Sequence, residues 1–215
     1  MHLKRNKVKN FWPIPRKGTK YLALTAHNQN ESMPLVVILR DILKLVRNKK
    51  ELKRLLNEKQ IMINHRQIRE TNYPVCLFDM LTVGKKHYQA ILSEGKKMNF
   101  QETDGKDAET KIYKILGKKV LGKNRVQLNL IQGKNILASE KCETGDSILL
   151  NLKDNKIIKI IHLEKGKTAF TMKGKHMGKS GKILEVMERG GKKIAKIEYK
   201  GERINVWTKN IILTE

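Results

Sequence analysis

Pro34-Leu35-Val36-Val37-Ile38-Leu39-Arg40-Asp41-Ile42-Leu43-Lys44-Leu45-Val46-Arg47 opens the stretch, ending at Val83, on which the reading of the whole chain turns. Leu35, Ile38, Leu39, Ile42, Leu45 and Val46 recur at the spacing of a helix packed on a core. Arg40, Lys44 and Arg47 follow at i, i+4 and i+7, which predicts that they share one face of that helix. A second helix is predicted over residues 51–59, with Asn48 as its N-cap and Leu52, Leu55 and Leu56 as its apolar stripe. Ile61, Ile63 and Ile68 then have strand character around Asn64-His65. Both of those residue types tolerate a left-handed backbone, so a tight hairpin turn is expected there. Arg40, Lys44, Arg47, Lys53, Arg54, Arg66 and Arg69 all fall within residues 40–69, a density that suits contact with phosphate better than a merely solvated face.

Charge extends this reading to the rest of the chain. The 215 residues carry 46 Lys and Arg against 21 Asp and Glu, a formal net charge of +25. A chain so charged repels itself unless a polyanion neutralises it. The excess is distributed: seven cations against one acid in residues 1–33, ten against five in 34–83, sixteen against ten in 84–164 and thirteen against five in 165–215. A basic tail alone would suggest an address signal; an excess in every segment suggests an extended anionic partner, and nucleic acid fits best. No run approaches the ~18 apolar residues that a membrane helix needs, and Met1-His2-Leu3-Lys4-Arg5-Asn6-Lys7 has no apolar core like that of a signal peptide.

Residues 1–33 show little hydrophobic periodicity. Lys4, Arg5, Lys7, Lys9, Arg16, Lys17 and Lys20 surround Phe11-Trp12-Pro13. Such a segment is expected to order on its partner, its cations on phosphate and its aromatics on bases; the alternative is a solvated tail with Trp12 docked on the body. Residues 84–164 read as β-rich, with strands predicted at 87–92, 126–131, 147–152 and 157–162.

Catalytic and metal chemistry find little support. Cys76 and Cys142 are not spaced as a metal pair and read as small buried thiols. His65 has no second ligand at metal spacing. Glu102, Asp104, Asp107 and Glu109 alternate with Gly105 and Lys106 and lack the pattern of a calcium loop, so a solvated loop is expected. Gly178-Lys179-Ser180 imitates the end of a P-loop, but the position that must be Gly is Lys173, with Gly174 one residue too late. Ile183, Leu184 and Val186 then suit a strand and not the helix that a P-loop feeds.

Two short helices and a hairpin with arginines along the seam resemble the S-four RNA-binding domain. The wider pattern resembles one family, the archaeal and eukaryotic small-subunit ribosomal protein S-four-e. His2-Leu3-Lys4-Arg5 with Trp12 is similar to that family's opening motif; Met33-Pro34-Leu35 through Lys44 resembles its domain entry. Arg69-Glu70-Thr71-Asn72-Tyr73-Pro74-Val75 with Phe78-Asp79 resembles its signature after the hairpin. Glu143-Thr144-Gly145-Asp146-Ser147 resembles its central domain, where a Gly-Asp turn feeds a strand. Gly178 and Gly181 before alternating residues resemble a KOW motif, with Glu188-Arg189-Gly190-Gly191-Lys192 as the next turn and strands at 194–199 and 204–207. Trp207 is expected in the core or cover of that barrel, with base stacking as the alternative.

The resemblance implies an α+β chain. A basic arm (1–33) leads to an S-four-like RNA-binding domain of two helices plus a β-hairpin (34–84), a β-rich central domain (85–164) and a C-terminal KOW, SH3-like small β-barrel (165–215). It further implies a structural constituent of the small ribosomal subunit in the cytoplasm, without enzymatic activity, cofactor, metal or small-molecule substrate and without a membrane partner. Ribosomal RNA and neighbouring ribosomal proteins would be its partners. Lys4, Arg5, Arg40, Lys44, Arg47, Lys53, Arg54, Arg66, Arg69, Lys175, Lys179 and Lys182 are the candidate RNA-binding residues. Two alternatives are an RNA-modifying enzyme carrying an S-four module, which would need a catalytic domain, and a KOW-type transcription factor, which would share the C-terminal segment alone.

Overall fold

The computed structural model describes residues 2–105, 109–122, 125–138 and 142–215. Strands dominate among these residues, with two short helices and several sheets. The chain divides into two compact units, residues 1–109 and 110–215.

The first unit begins with a two-stranded ribbon in which β1 (His2–Lys4) pairs antiparallel with β2 (Tyr21–Ala23). Between them Trp12 is only 3% exposed. The N-terminal segment is thus folded onto its own unit, which corrects the expectation that it orders on its partner and agrees with the alternative in placing Trp12 against the body. An indole offers enough apolar area to anchor a segment that lacks periodicity.

After β3 (Ser32–Pro34) comes α1 (Leu35–Val37), which continues as a wider turn over Ile38–Ile42. Leu43 N–H donates to the Ile38 carbonyl at 2.9 Å, the i→i+5 spacing of that turn. Lys44 then adopts φ +54°, the left-handed conformation that stops a helix. The predicted continuation through Arg47 does not form, so Arg40, Lys44 and Arg47 share no helix face. Leu35, Ile38 and Leu39 are fully buried, whereas Leu45 is turned out to solvent.

The second helix, α2 (Lys49–Asn57), has the predicted Asn48 cap but runs two residues earlier at each end than the expected 51–59. The Asn48 side chain accepts the Glu51 N–H at 2.9 Å, while the Glu51 carboxylate accepts the Arg47 N–H at 2.7 Å. Leu52 and Leu56 face the core; burying each is worth roughly 1.5–3 kcal/mol.

The hairpin is also as predicted. β4 (Ile61–Ile63) pairs with β5 (Arg66–Gln67) through Asn64 and His65, both left-handed at φ +50° and +60°. β6 (Pro74–Cys76) pairs with β3. β7 (Met80–Val83), β8 (Lys86–Leu92) and β9 (Met98–Thr103) complete a sheet of order β5-β4-β7-β8-β9. Gly84 lies in the turn between β7 and β8, so this sheet runs through that position. Asp79, 4% exposed, ties the pieces together: it accepts the Cys76 N–H at 2.6 Å and the Asn64 amide at 2.7 Å. Glu102 is an exposed strand residue facing Lys86 at 3.4 Å, and Asp104 is exposed. Lys106 and Asp107 lie outside the described residues.

In the second unit, β10 (Thr110–Gly122) is central to a sheet of order β12-β11-β10-β13-β14, with β11 (Arg125–Leu130), β12 (Asn135–Ala138), β13 (Ser147–Asn151) and β14 (Ile157–Ile161). β13 starts directly after Gly145 and the buried Asp146. Asp146 accepts the Leu163 and Glu143 N–H groups, each at 3.0 Å, and lies 2.9 Å from His162 Nδ1. The final sheet has the order β18-β17-β16-β15-β19: β15 (Thr168–Thr171), β16 (Ser180–Arg189), β17 (Lys192–Tyr199), β18 (Glu202–Trp207) and β19 (Ile211–Leu213). Alternation along these strands sends Ala195, Ile197, Ile204 and Val206 into one core with Ala169, Ile183 and Ile211. The next residue, Trp207, is 50% exposed, which corrects its placement as core or cover.

Candidate nucleic-acid interface

Arg5 organises the N-terminal basic surface. Its guanidinium donates to the Thr19 carbonyl at 2.7 Å, the Pro15 carbonyl at 2.6 Å and the Thr19 hydroxyl at 3.1 Å. The loop closes so tightly over it that a Cβ at Gly18 would lie 2.7 Å from Nη2. These acceptors are uncharged, so Arg5 shapes the loop while its charge stays uncancelled. Lys97 pins the opposite wall by donating to the Asn10 carbonyl at 2.5 Å and the Trp12 carbonyl at 3.3 Å. The result is a cleft of about 870 Å³ lined by Lys4, Arg5, Lys9, Arg16, Lys20 and Lys97 beside Trp12. No carboxylate is among its described lining residues. Six cations around one concavity focus positive potential where an anion must enter.

A second cleft, of about 540 Å³, lies between α2 and the segment after the hairpin. It brings together Lys53 and Arg69, with Lys49 beside them and Glu70 as the single acid in its described lining. The other predicted cations are scattered. Arg40 forms a two-pronged pair with Asp41, at 2.7 and 2.8 Å, and that hydrogen bonding raises its pKa. Arg54 pairs with Glu58 at 2.8 Å, one helical turn on, with the same upward effect. Both are therefore partly neutralised from within. Lys44 and Arg47 are exposed beyond the helix end, and Arg66 is exposed on β5, outside the cleft.

In the second unit Lys175 is exposed in the turn before β16, and Lys182 is exposed on β16 in register with Glu198. Lys179 lies over the Tyr199 ring, 4.4 Å from its centroid. Here Gly181 has a steric role: a Cβ there would lie 1.9 Å from the Glu198 carbonyl oxygen.

Residues 84–157 match the family described as Ribosomal family S4e. Small ribosomal subunit protein eS4 of Methanosphaera stadtmanae is 35% identical over 190 residues, covering 86% of this chain and 79% of that protein. The protein of the same name from Nanoarchaeum equitans is 32% identical over 219 residues, covering 98% of this chain and 94% of that one. The chain belongs to the S4e family. The crystal structure of the 30S ribosomal protein S4e from Thermoplasma acidophilum superposes on this family member with a TM-score of 0.75 at 22% identity, covering 86% of this chain and 95% of that one. That likeness shows that the mixed, strand-rich fold is shared.

Sequence reasoning chose Lys4 and Arg5 as candidates in this family member, expected the cations Lys9, Arg16 and Lys20 on phosphate without choosing them individually, and missed Lys97; all line the same cleft. Lys9, Arg16 and Lys20 were visible as a basic run around Trp12. Lys97 carries no local signal, because its partners are 85 and 87 residues away. Lys49, flanking the α2 cleft, could have been found one turn before Lys53.

Proposed function

We propose that this chain is a structural constituent of the small ribosomal subunit. It binds ribosomal RNA through distributed Lys and Arg contacts to phosphates, lies against neighbouring ribosomal proteins in the cytoplasmic ribosome, and performs no catalysis. The observation that carries the reading is the N-terminal cleft, where six cations meet without an opposing carboxylate in its described lining. Family membership supplies the particle. Relatives matched over 79–94% of their own length are named as small-subunit proteins, which leaves the enzyme and transcription-factor alternatives without support.

The mechanism is electrostatic. Each phosphate neutralised releases condensed counterions and adds roughly 0.7–0.9 to the slope of log affinity against log salt. Within this reading residues 1–33 form a basic arm and 34–84 an S-four-like RNA-binding domain whose sheet β8 and β9 extend. Residues 85–164 form a central domain and 165–215 a KOW domain. The Asn64-His65 hairpin and the steric demand at Gly181 support that layout. Lys4, Arg5, Lys9, Arg16, Lys53, Arg69, Lys175, Lys179 and Lys182 contact RNA directly, with Lys44, Arg47 and Arg66 as further exposed contacts; Arg40 and Arg54 contribute less because Asp41 and Glu58 engage them.

Co-sedimentation with purified small subunits across a salt series tests this. Reversing Lys4, Lys9 and Arg16 to Glu removes three phosphate contacts and is expected to lower the salt slope by about 2 or more. An unchanged slope removes the cleft from the interface, and failure of the unaltered chain to sediment with subunits refutes the function.

A further inference from the structure

Val206 points into the C-terminal core, and the pleat of β18 turns its neighbour Trp207 outward. Trp207 is 50% exposed, whereas the other tryptophan, Trp12, is 3% exposed. An indole is among the largest apolar surfaces a chain can leave in water, and a single exposed one is ordinary until its neighbours are considered. Its surroundings are specific. Pairing of Ile194 with Trp207 brings the β16–β17 turn alongside, and Thr208 fixes that junction by donating to the Lys193 carbonyl at 3.1 Å. Lys192 Nζ stands 4.7 Å from the indole centroid. Trp207 thereby forms one wall of a cleft of about 420 Å³ that Lys192, Lys193, Lys209 and Lys114 also line, with no carboxylate among its described lining residues. The volume is in the range that holds a small planar ligand.

We propose that Trp207 is a stacking platform for an unpaired RNA base, with Lys192, Lys193 and Lys209 holding the phosphates on either side of it. An aromatic face accepts any base, and a surrounding cation set tracks the backbone. Bases inside a duplex are already covered by their neighbours, so the ligand is a single-stranded or splayed-out nucleotide. Lys192 has a flexible stem and can move from the ring to a phosphate as the base arrives. The Lys114 ammonium is committed to the Thr208 and Ile211 carbonyls and supplies positive potential without reaching the ligand. A peptide could also cover the indole, but a cleft lined by four cations favours a polyanion. This site rests on the RNA-binding function proposed above.

The test titrates the full chain with a short oligoadenylate, the same oligomer carrying abasic sites, and an RNA duplex. Tryptophan fluorescence and the anisotropy of labelled RNA are both read. Oligoadenylate is expected to quench the emission, and the abasic oligomer and duplex are not. Trp207→Ala is expected to abolish the quenching and weaken oligoadenylate binding roughly 5- to 150-fold with an unchanged salt slope. Trp207→Phe, which keeps a stacking face, is expected to recover most of the affinity; Lys192→Ala is expected to lower the salt slope by about 0.7. Equal binding by the unaltered chain and Trp207→Ala, or equal quenching by the abasic oligomer, overturns the stacking site. If salt-dependent binding to small subunits persists in that case, the function stands and only this site falls. Absence of binding to any RNA overturns both.

Discussion

Gly181 shows how much a single position can dictate. Its backbone lies so close to β17 that an added Cβ would sit 1.9 Å from the Glu198 carbonyl oxygen and 2.9 Å from the Ile197 side chain. Neither the backbone carbonyl nor a buried isoleucine in a packed sheet can yield cheaply. Gly181→Ala is therefore expected to cost about 3 kcal/mol or more in a urea melt. Lys182→Ala, one residue on and exposed, is expected to change stability by less than about 0.5 kcal/mol. Equal midpoints for the two variants would refute the steric role. Gly181 was singled out by its spacing from Gly178 before a strand, but its approach to the Glu198 carbonyl carried no sequence signal. Asn64 and His65 were legible because their residue types favour the backbone the turn requires. Lys44 was not: a left-handed lysine ends the first helix where glycine or asparagine would ordinarily announce it. Trp207 was misread from size alone, although counting alternate positions from Ile204 and Val206 already turned it outward.

At the scale of elements, β8, β11, β13, β14, β17 and β18 were readable, whereas short strands such as β9, β12, β15 and β19 and the longest strand were not. β10 runs for 13 residues, but its pattern is inverted in places because Lys111 and Lys114 are each only 2% exposed. A binary reading assigns lysines to solvent, so it cannot see a strand that buries two. Lys111 is accommodated by a bond of 2.6 Å to Gln132 and by the Tyr113 ring, 4.6 Å from its ammonium. Lys114 donates to the Thr208 and Ile211 carbonyls. Burial, with a smaller contribution from the Lys173 charge, lowers its pKa to about 8 from the ordinary 10.5. Between those two values the unfolded chain holds a proton that the folded chain has released, so stability rises with pH through that window. Below pH 8 both states are protonated and the cost of burying the charge is fully present. The gain across the window is on the order of 3 kcal/mol. Lys114→Met removes this group, so the unaltered chain is expected to gain stability relative to the variant between about pH 8 and 10.5. Parallel pH profiles in paired urea melts would show that the buried ammonium is not destabilised.

Across the whole molecule, charge is organised by who is paired with whom. Asp79 and Asp146 are buried and bonded to backbone N–H groups, while Asp41, Glu58 and Glu102 sit beside Arg40, Arg54 and Lys86. Many acids are thus occupied within the fold, and the cations of the N-terminal and Trp207 clefts face no carboxylate in their described linings. A net charge of +25 then acts in two opposite directions. In the isolated protein it is self-repulsion, which salt screens. On RNA it is the source of affinity, which salt weakens through counterions. Raising salt from about 0.05 to 0.5 M is therefore expected to stabilise the isolated chain while weakening its hold on small subunits. Relief of about 1 kcal/mol corresponds to roughly 4–8 °C in Tm for a unit of about 100 residues. Over the same interval each phosphate contact costs roughly a five- to eightfold loss of affinity. Chloride and acetate salts together separate screening from specific anion effects, because the Debye length depends on ionic strength alone. A Tm that falls with salt in both would mean that attractive ion pairs, and not excess cations, dominate the folded protein.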